Sequence, residues 1–253
     1  MICGIDLGSR DVKMVLMENR QVVETRRFDT MGFYRRLGRC REGQLVIPFG
    51  ELGLPPIDLV ISTGYGRNTL AVEGGRVIPE LQAHLLGAVF QTGLADFTLL
   101  DLGGQDSKVI LVRGGRMADF YTNDRCAASS GRYLENMAAV LGMDLTELSS
   151  HFEDPVDLDA TCAIFGESEL IGKVLEGYPL KQLAAGVNYS VVKRVKPMLK
   201  NLQSTILVFC GGVANNQGIQ RLLEKELGAE VVIPPEPQLN GAIGCCVFAA
   251  SSQ

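Results

Sequence analysis

No stretch of this chain approaches the ~18 uninterrupted apolar residues of a membrane-spanning helix, which excludes an integral helical membrane protein. No CxxC pair occurs among its seven cysteines (3, 40, 126, 162, 210, 245 and 246), so a mononuclear zinc site is not expected. Basic excess is missing too. Against 29 Asp+Glu stand 24 Lys+Arg, a net charge of −5, which argues against wholesale nucleic-acid binding. Neither G-x-x-x-x-G-K-[ST] nor G-x-G-x-x-G appears, which removes two common nucleotide folds. The start, MICGIDLGSRDVK, meets charge too early for a signal-peptide core. The expectation is a cytoplasmic, reduced protein whose odd cysteine count is not a disulfide set. What remains is a 253-residue chain, 46% apolar and 21% charged, of α/β class with one large or two modest domains.

The most informative feature present is an internal repeat. Asp6-Leu-Gly-Ser-Arg-Asp-Val-Lys-Met-Val-Leu-Met17 aligns without gaps on Asp101-Leu-Gly-Gly-Gln-Asp-Ser-Lys-Val-Ile-Leu-Val112, at an offset of 95 (101 − 6), with six of twelve positions identical. Each copy follows a short apolar run and precedes a β-branched one, so each reads strand, tight turn, strand. Third extended segments follow at Gln21–Phe28 and Met117–Thr122. A repeat of this size predicts two similar lobes: residues 1–91 completed by a C-terminal helix at 239–253, and residues 92–238. Further strands are expected at Ile57–Ser62, Thr205–Cys210 and Glu230–Ile233. Helices are expected near Pro79–Gln91, Ser129–Leu141, Gly166–Glu176, Leu180–Asn201, Asn215–Leu227 and Asn240–Ala250. The seven arginines between Arg20 and Arg41 read as solvated surface or, second, as a docking face.

The two turns carry phosphate chemistry. In each an Asp ends a strand, Asp6 or Asp101, and a glycine follows two positions later, Gly8 or Gly103, where the backbone can approach an anion. The two carboxylates suit the water shell of Mg²⁺. Ser9 and Gly104 extend the loops, and Lys13 or Lys108 either reaches a phosphate or sits on the surface. Two such hairpins across a cleft would grip the phosphates of ATP. A third glycine motif, Phe209-Cys-Gly-Gly-Val-Ala-Asn-Asn216, lies where a strand meets a helix. It is either a plain turn or a seat for adenosine built from Gly211, Gly212 and Val213, with Asn215 or Asn216 as helix cap or sugar contact. Cys126 and Cys162 each stand just ahead of an expected helix, where a thiolate is favoured over a thiol. A small buried hydrophobe is the alternative for each. Cys3, Cys210, Cys245 and Cys246 fall in apolar segments and read as core.

The order of the three glycine motifs resembles the actin, hexokinase and heat-shock chaperone ATPase superfamily, which implies a two-lobed actin-like (ribonuclease H-like) ATPase fold with duplicated phosphate hairpins. Six segments narrow this further: GIDLGS, STGYGRN (62–68), LLDLGGQDSKVI, NDRCAAS–GR, TCAIFGESE and CGGVANN. Together they are similar to the ATP-dependent activators of 2-hydroxyacyl-CoA dehydratases, grouped with the nucleotide-binding subunits of benzoyl-CoA reductases and with reductases of double-cubane iron–sulfur proteins. The resemblance implies a homodimer sharing one [4Fe–4S] cluster held by Cys126 and Cys162 of each protomer. It implies Mg²⁺ and ATP/ADP as further ligands, a ferredoxin or flavodoxin as electron donor, and an iron–sulfur enzyme as acceptor. An anaerobic host and no membrane or nucleic-acid partner follow with it. Two cysteines per chain fit a four-thiolate cluster on a two-fold axis. Two departures stand out: Arg10 occupies a position where the family has a hydroxyl residue, and Ser129-Ser130 replaces Gly-Thr. Gln105, or His84 with Glu80, is a candidate for orienting the attacking water. The competing functions are a small-molecule kinase of the same superfamily, such as a type III pantothenate kinase, and a nucleotide-gated assembly protein without iron.

Overall fold

The computed structural model describes residues 1–41, 44–64, 70–123, 126–159 and 163–251. The chain divides into two compact units, Met1–Leu94 with Gln238–Gln253, and Ala95–Pro237.

In the first unit, strands β1 (Ile2–Leu7), β2 (Asp11–Glu18) and β3 (Gln21–Asp29) form an antiparallel meander. Strands β6 (Leu59–Thr63) and β8 (Arg76–Val77) add in parallel, giving the order β3-β2-β1-β6-β8. Helices α2 (Glu80–Thr92) and α8 (Asn240–Ser251) cover the sheet. Glycines allow the close packing: a side chain at Gly244 of α8 would overlap the Ala83 carbonyl of α2. Val15, Met17, Ala242, Ile243 and Cys246 bury together beneath these helices.

Two features of this unit go beyond the sequence expectation. The arginine-rich segment folds: α1 (Thr30–Leu37) starts at an Asp29 cap that accepts from Gly32 N at 2.7 Å. Phe33 and Leu37, four apart, bury while Arg35 and Arg36 stay exposed. A small sheet of β4 (Arg39–Arg41), β5 (Gln44–Ile47) and β7 (Leu70–Val72) follows. Four of the arginines pair with carboxylates: Arg26 with Glu24, Arg27 with Asp11, Arg39 with Glu51 and Arg41 with Glu73.

The second unit repeats the first sheet. Strands β9 (Phe97–Leu102), β10 (Ser107–Arg113) and β11 (Arg116–Asn123) form the meander, and β12 (Ile206–Cys210) and β13 (Glu230–Val232) add in parallel, in the order β11-β10-β9-β12-β13. Five helices accompany it: α3 (Gly131–Leu141), α4 (Leu145–Ser149), α5 (Ala163–Leu175), α6 (Leu180–Leu199) and α7 (Gln217–Leu227). The boundaries shift where local caps decide. Ala127–Ser129 is a separate 3-10 turn before α3, and α5 starts three residues earlier than Gly166. Helix α4, five residues long, is too short for its periodicity to register. The core of this unit gathers Tyr133, Met137, Leu183, Val187, Val191, Phe209 and Ile219.

Candidate functional site

Strand registers bring the repeated residues into matching places. In the first hairpin Asp6 pairs across the sheet with Lys13, and in the second Asp101 pairs with Lys108. Residues opposite one another point to the same face. Lys13 Nζ accordingly reaches Asp6 Oδ2 at 3.2 Å, and Lys108 Nζ lies 3.9 Å from Asp101 Oδ1 while donating to Asp106 Oδ2. Both carboxylates are buried at 3% exposure and Lys108 at 5%, so the surface alternative for that lysine is set aside. Charges held this far from water are costly unless paired, and the cross-strand lysines provide the pairing.

The loops joining these strands are braced from outside. Gly8 O accepts from Thr30 Oγ1 at 2.8 Å and Arg10 O from Thr30 N at 3.1 Å, so the first loop rests on the start of α1. Ser9 is half-buried and Arg10 exposed. In the second loop Gly103 N donates to Asp106 O at 3.0 Å, Gly103 and Gly104 are half-buried, and Gln105 is exposed.

The parallel strands end alike. Thr63 of β6 stands opposite Asp6, and Cys210 of β12 stands opposite Asp101. The next residues, Gly64 and Gly211, both take positive φ, +104° and +88°, and both press on backbone, of Leu7 and of Leu102. Gly64 is the residue the motif search undervalued. Its signal was a glycine closing an apolar strand, in a segment otherwise valued only as a family match; Tyr65 to Asn68 lie outside the described residues. Beyond Gly211, Gly212 is exposed with open space around it, and Val213 is buried. Asn216 is the helix cap: its Oδ1 accepts from Ile219 N at 2.9 Å, and its Nδ2 donates to Asn188 Oδ1 at 2.9 Å.

On the first unit's helices, His84 Nε2 lies 3.9 Å from Glu80 Oε1 one turn earlier. Gly241 is their junction with the strand-end carboxylate: a Cβ placed there would lie 3.2 Å from both Asp6 Oδ2 and His84 Nε2. Asn240 Nδ2 fixes the helix register by donating to His84 O at 2.8 Å.

The cysteines separate into two kinds. Cys3, Cys210, Cys245 and Cys246 are buried, and burial pushes each thiol up, Cys3 to about 12, so all four stay neutral and inert. Cys126 is exposed at the start of the 3-10 turn, with its carbonyl accepting from Asn123 Nδ2 at 3.3 Å. Cys162 lies outside the described residues, immediately before α5. Among the described residues no helix is long and apolar enough to cross a membrane.

Comparison with known proteins agrees with this geometry. The model of the BadF/BadG/BcrA/BcrD ATPase family matches residues 3–249. The 2-hydroxyisocaproyl-CoA dehydratase activator of Clostridioides difficile is 35% identical over 253 residues, covering 97% of this chain and 93% of that one. The (R)-2-hydroxyglutaryl-CoA dehydratase activating ATPase of Acidaminococcus fermentans is 34% identical over 250 residues, covering 97% and 95%. The solved structure of the activator of the 2-hydroxyisocaproyl-CoA dehydratase from Clostridium difficile, with bound ADPNP, superposes with a TM-score of 0.85 at 32% identity, covering 99% of this chain and 94% of that one. The fold is the actin-like ATPase fold.

Proposed function

We propose, on the premise that this chain belongs to the BadF/BadG/BcrA/BcrD ATPase family, that it is an ATP-hydrolysing reductase component which delivers single electrons to an iron–sulfur acceptor enzyme. The dehydratase activators similar to it suggest the acceptor: a 2-hydroxyacyl-CoA dehydratase, or a double-cubane protein of the same chemistry.

Asp6 and Asp101 are the residues that would hold Mg²⁺ through its water, because each is a buried carboxylate at a strand end beside a glycine loop. Lys13 and Lys108 keep those carboxylates oriented through their cross-strand positions. Gly8, Ser9 and Arg10 on one hairpin, and Gly103 and Gly104 on the other, offer backbone and charge to phosphate oxygens. Gly212, with open space where a side chain would stand, and Val213 suit the flat faces of adenosine. Gln105, exposed on its loop, is the residue we assign to the attacking water.

The observation that carries the redox part is the contrast among thiols. Four are buried and kept neutral, whereas Cys126 is exposed at the start of a helical segment. Cys126 and Cys162 of two protomers would supply the four thiolates of a [4Fe–4S] cluster, which when bound supplies one electron at a time. The test is iron and acid-labile sulfide on protein purified without oxygen, beside the Cys126→Ala variant. Expected are about two irons and two sulfides per chain in the natural protein. The variant should lose them while still binding ADP; a variant that retains its cluster sinks the assignment.

A further inference from the structure

An α-helix leaves its first N–H groups without partners inside the helix, and an N-cap side chain ordinarily accepts from one of them. Helix α1 follows that rule through Asp29. Helix α3 does not. Ser130 stands at its N-cap position, but its hydroxyl turns back to Ala127 O at 2.6 Å and makes no cap bond. The first two N–H groups of α3 go to the second hairpin loop instead: Gly131 N donates to Gly103 O at 2.9 Å, and Arg132 N to Gly104 O at 3.1 Å. A Cβ placed on Gly131 would lie 3.5 Å from Gly103 O and 3.9 Å from Val213 Cγ2. This one residue therefore touches both the loop and the third glycine motif.

Upstream, the same turn leads to Cys126. The 3-10 turn Ala127–Ser129 begins directly after it, and Ser130 N closes that turn onto Ala127 O at 3.1 Å. From α6, the Arg194 guanidinium donates to Ala128 O and lies 4.7 Å from the centroid of the Tyr133 ring. The segment is thus anchored to the core helix at Ala128 and to the loop at Gly131. A displacement of Gly103 and Gly104 carries the first turn of α3 with it, because hydrogen bonds of this length are directional.

We propose that these two backbone hydrogen bonds are the link through which nucleotide at the second loop sets the position of Cys126, with Gly131 as the positioning residue. The inference rests on reading 103–104 as a phosphate loop and Cys126 as a cluster ligand. Coupling of this kind requires that ADP and ATP present different demands to the loop, and the γ-phosphate supplies that difference.

Gly131→Pro is the selective variant. Proline is at home in the first helical position, and Ser130 is already extended (φ −120°, ψ 175°), as a residue before proline must be. The substitution removes only the N–H that Gly103 O accepts. Gly131→Ala keeps that N–H, and its Cβ meets ordinary contact distances. The readout is hydrogen–deuterium exchange of residues 126–134 in the full chain, with ADP and with ADPNP. In the natural protein and Gly131→Ala, exchange of this segment should differ by about fivefold or more between the two nucleotides. In Gly131→Pro the difference should vanish while affinity for both nucleotides is retained. A Gly131→Pro protein that keeps the difference overturns the proposal. So does a natural protein whose segment exchanges identically with both nucleotides, a result that needs no variant to fold. Iron analysis of the same samples separates the two claims. Iron-free protein with the response intact removes the cluster and leaves the link; iron-loaded protein without it removes the link alone.

Discussion

Gly211 lies against the backbone of Leu102 so closely that any Cβ at that position would overlap the Leu102 carbonyl. Its own backbone, at φ 88° and ψ 178°, is in a region only glycine populates freely. Gly211→Ala should therefore cost roughly 2–4 kcal/mol, combining backbone strain and overpacking. Gly212→Ala, one residue on, meets nothing within 4 Å and should leave stability unchanged while weakening nucleotide binding. Urea unfolding of both variants with and without ADP separates the effects; equal stability losses would contradict this account.

Asp6→Asn and Asp101→Asn remove the strand-end charges that the cross-strand lysines balance. Each should lower Mg²⁺-dependent ATP turnover by about 10²-fold or more, because charge placed at a phosphoryl-transfer site acts in the transition state. Affinity for ADP without metal should change far less. Turnover within a factor of two or three of the natural protein would remove that aspartate from the site.

Helix α5 and the α2–α8 contact give opposite expectations for the same substitution. Gly172 sits inside α5 with no neighbour within 4 Å of a would-be Cβ, so Gly172→Ala should stabilise by about 0.5–1 kcal/mol. Gly244 faces the Ala83 carbonyl, so Gly244→Ala should destabilise by about 2 kcal/mol or more. Thermal unfolding of each variant, followed by circular dichroism, checks the pair.

The buried thiols make alkaline stability pH-dependent. Burial raises Cys3 from 9.0 to about 12, with Arg26 opposing, so the folded state keeps a proton that the unfolded chain loses. Stability from this group is fully present below pH 9 and declines as pH rises from about 9 towards 12. Cys3→Ala should flatten that decline, as read by denaturation midpoints between pH 8 and pH 10.5. At pH 8, Cys40 and Cys126 should react with iodoacetamide in the cluster-free protein long before Cys3, Cys210, Cys245 or Cys246.

Both glycine loops were legible because an antiparallel hairpin is local: Asp6 and Lys13, seven residues apart, meet by register alone. The duplicated copy at Asp101 and Lys108 made that reading firm. Helix α1 was hidden because its apolar contribution is small, Phe33 and Leu37 set among arginines. Asn216 had two readings in sequence, and only the Ile219 and Asn188 partners decided for the cap. Two lysines read as either phosphate-reaching or superficial proved to face buried aspartates, a fact of burial that no spacing reveals.

By itself, the sequence determined the repeat, the strand-turn-strand units, the three glycine motifs and the family. These are written in periodicity, turn chemistry and residue identity, all local. Tertiary structure alone decided that Gly64 mirrors Gly211, that Gly241 lies between Asp6 and His84, and that α3 takes its cap from the Gly103–Gly104 carbonyls. Those relations join residues tens to hundreds of positions apart. They exist only once sheet register and helix packing have brought distant backbone within hydrogen-bond or van der Waals reach.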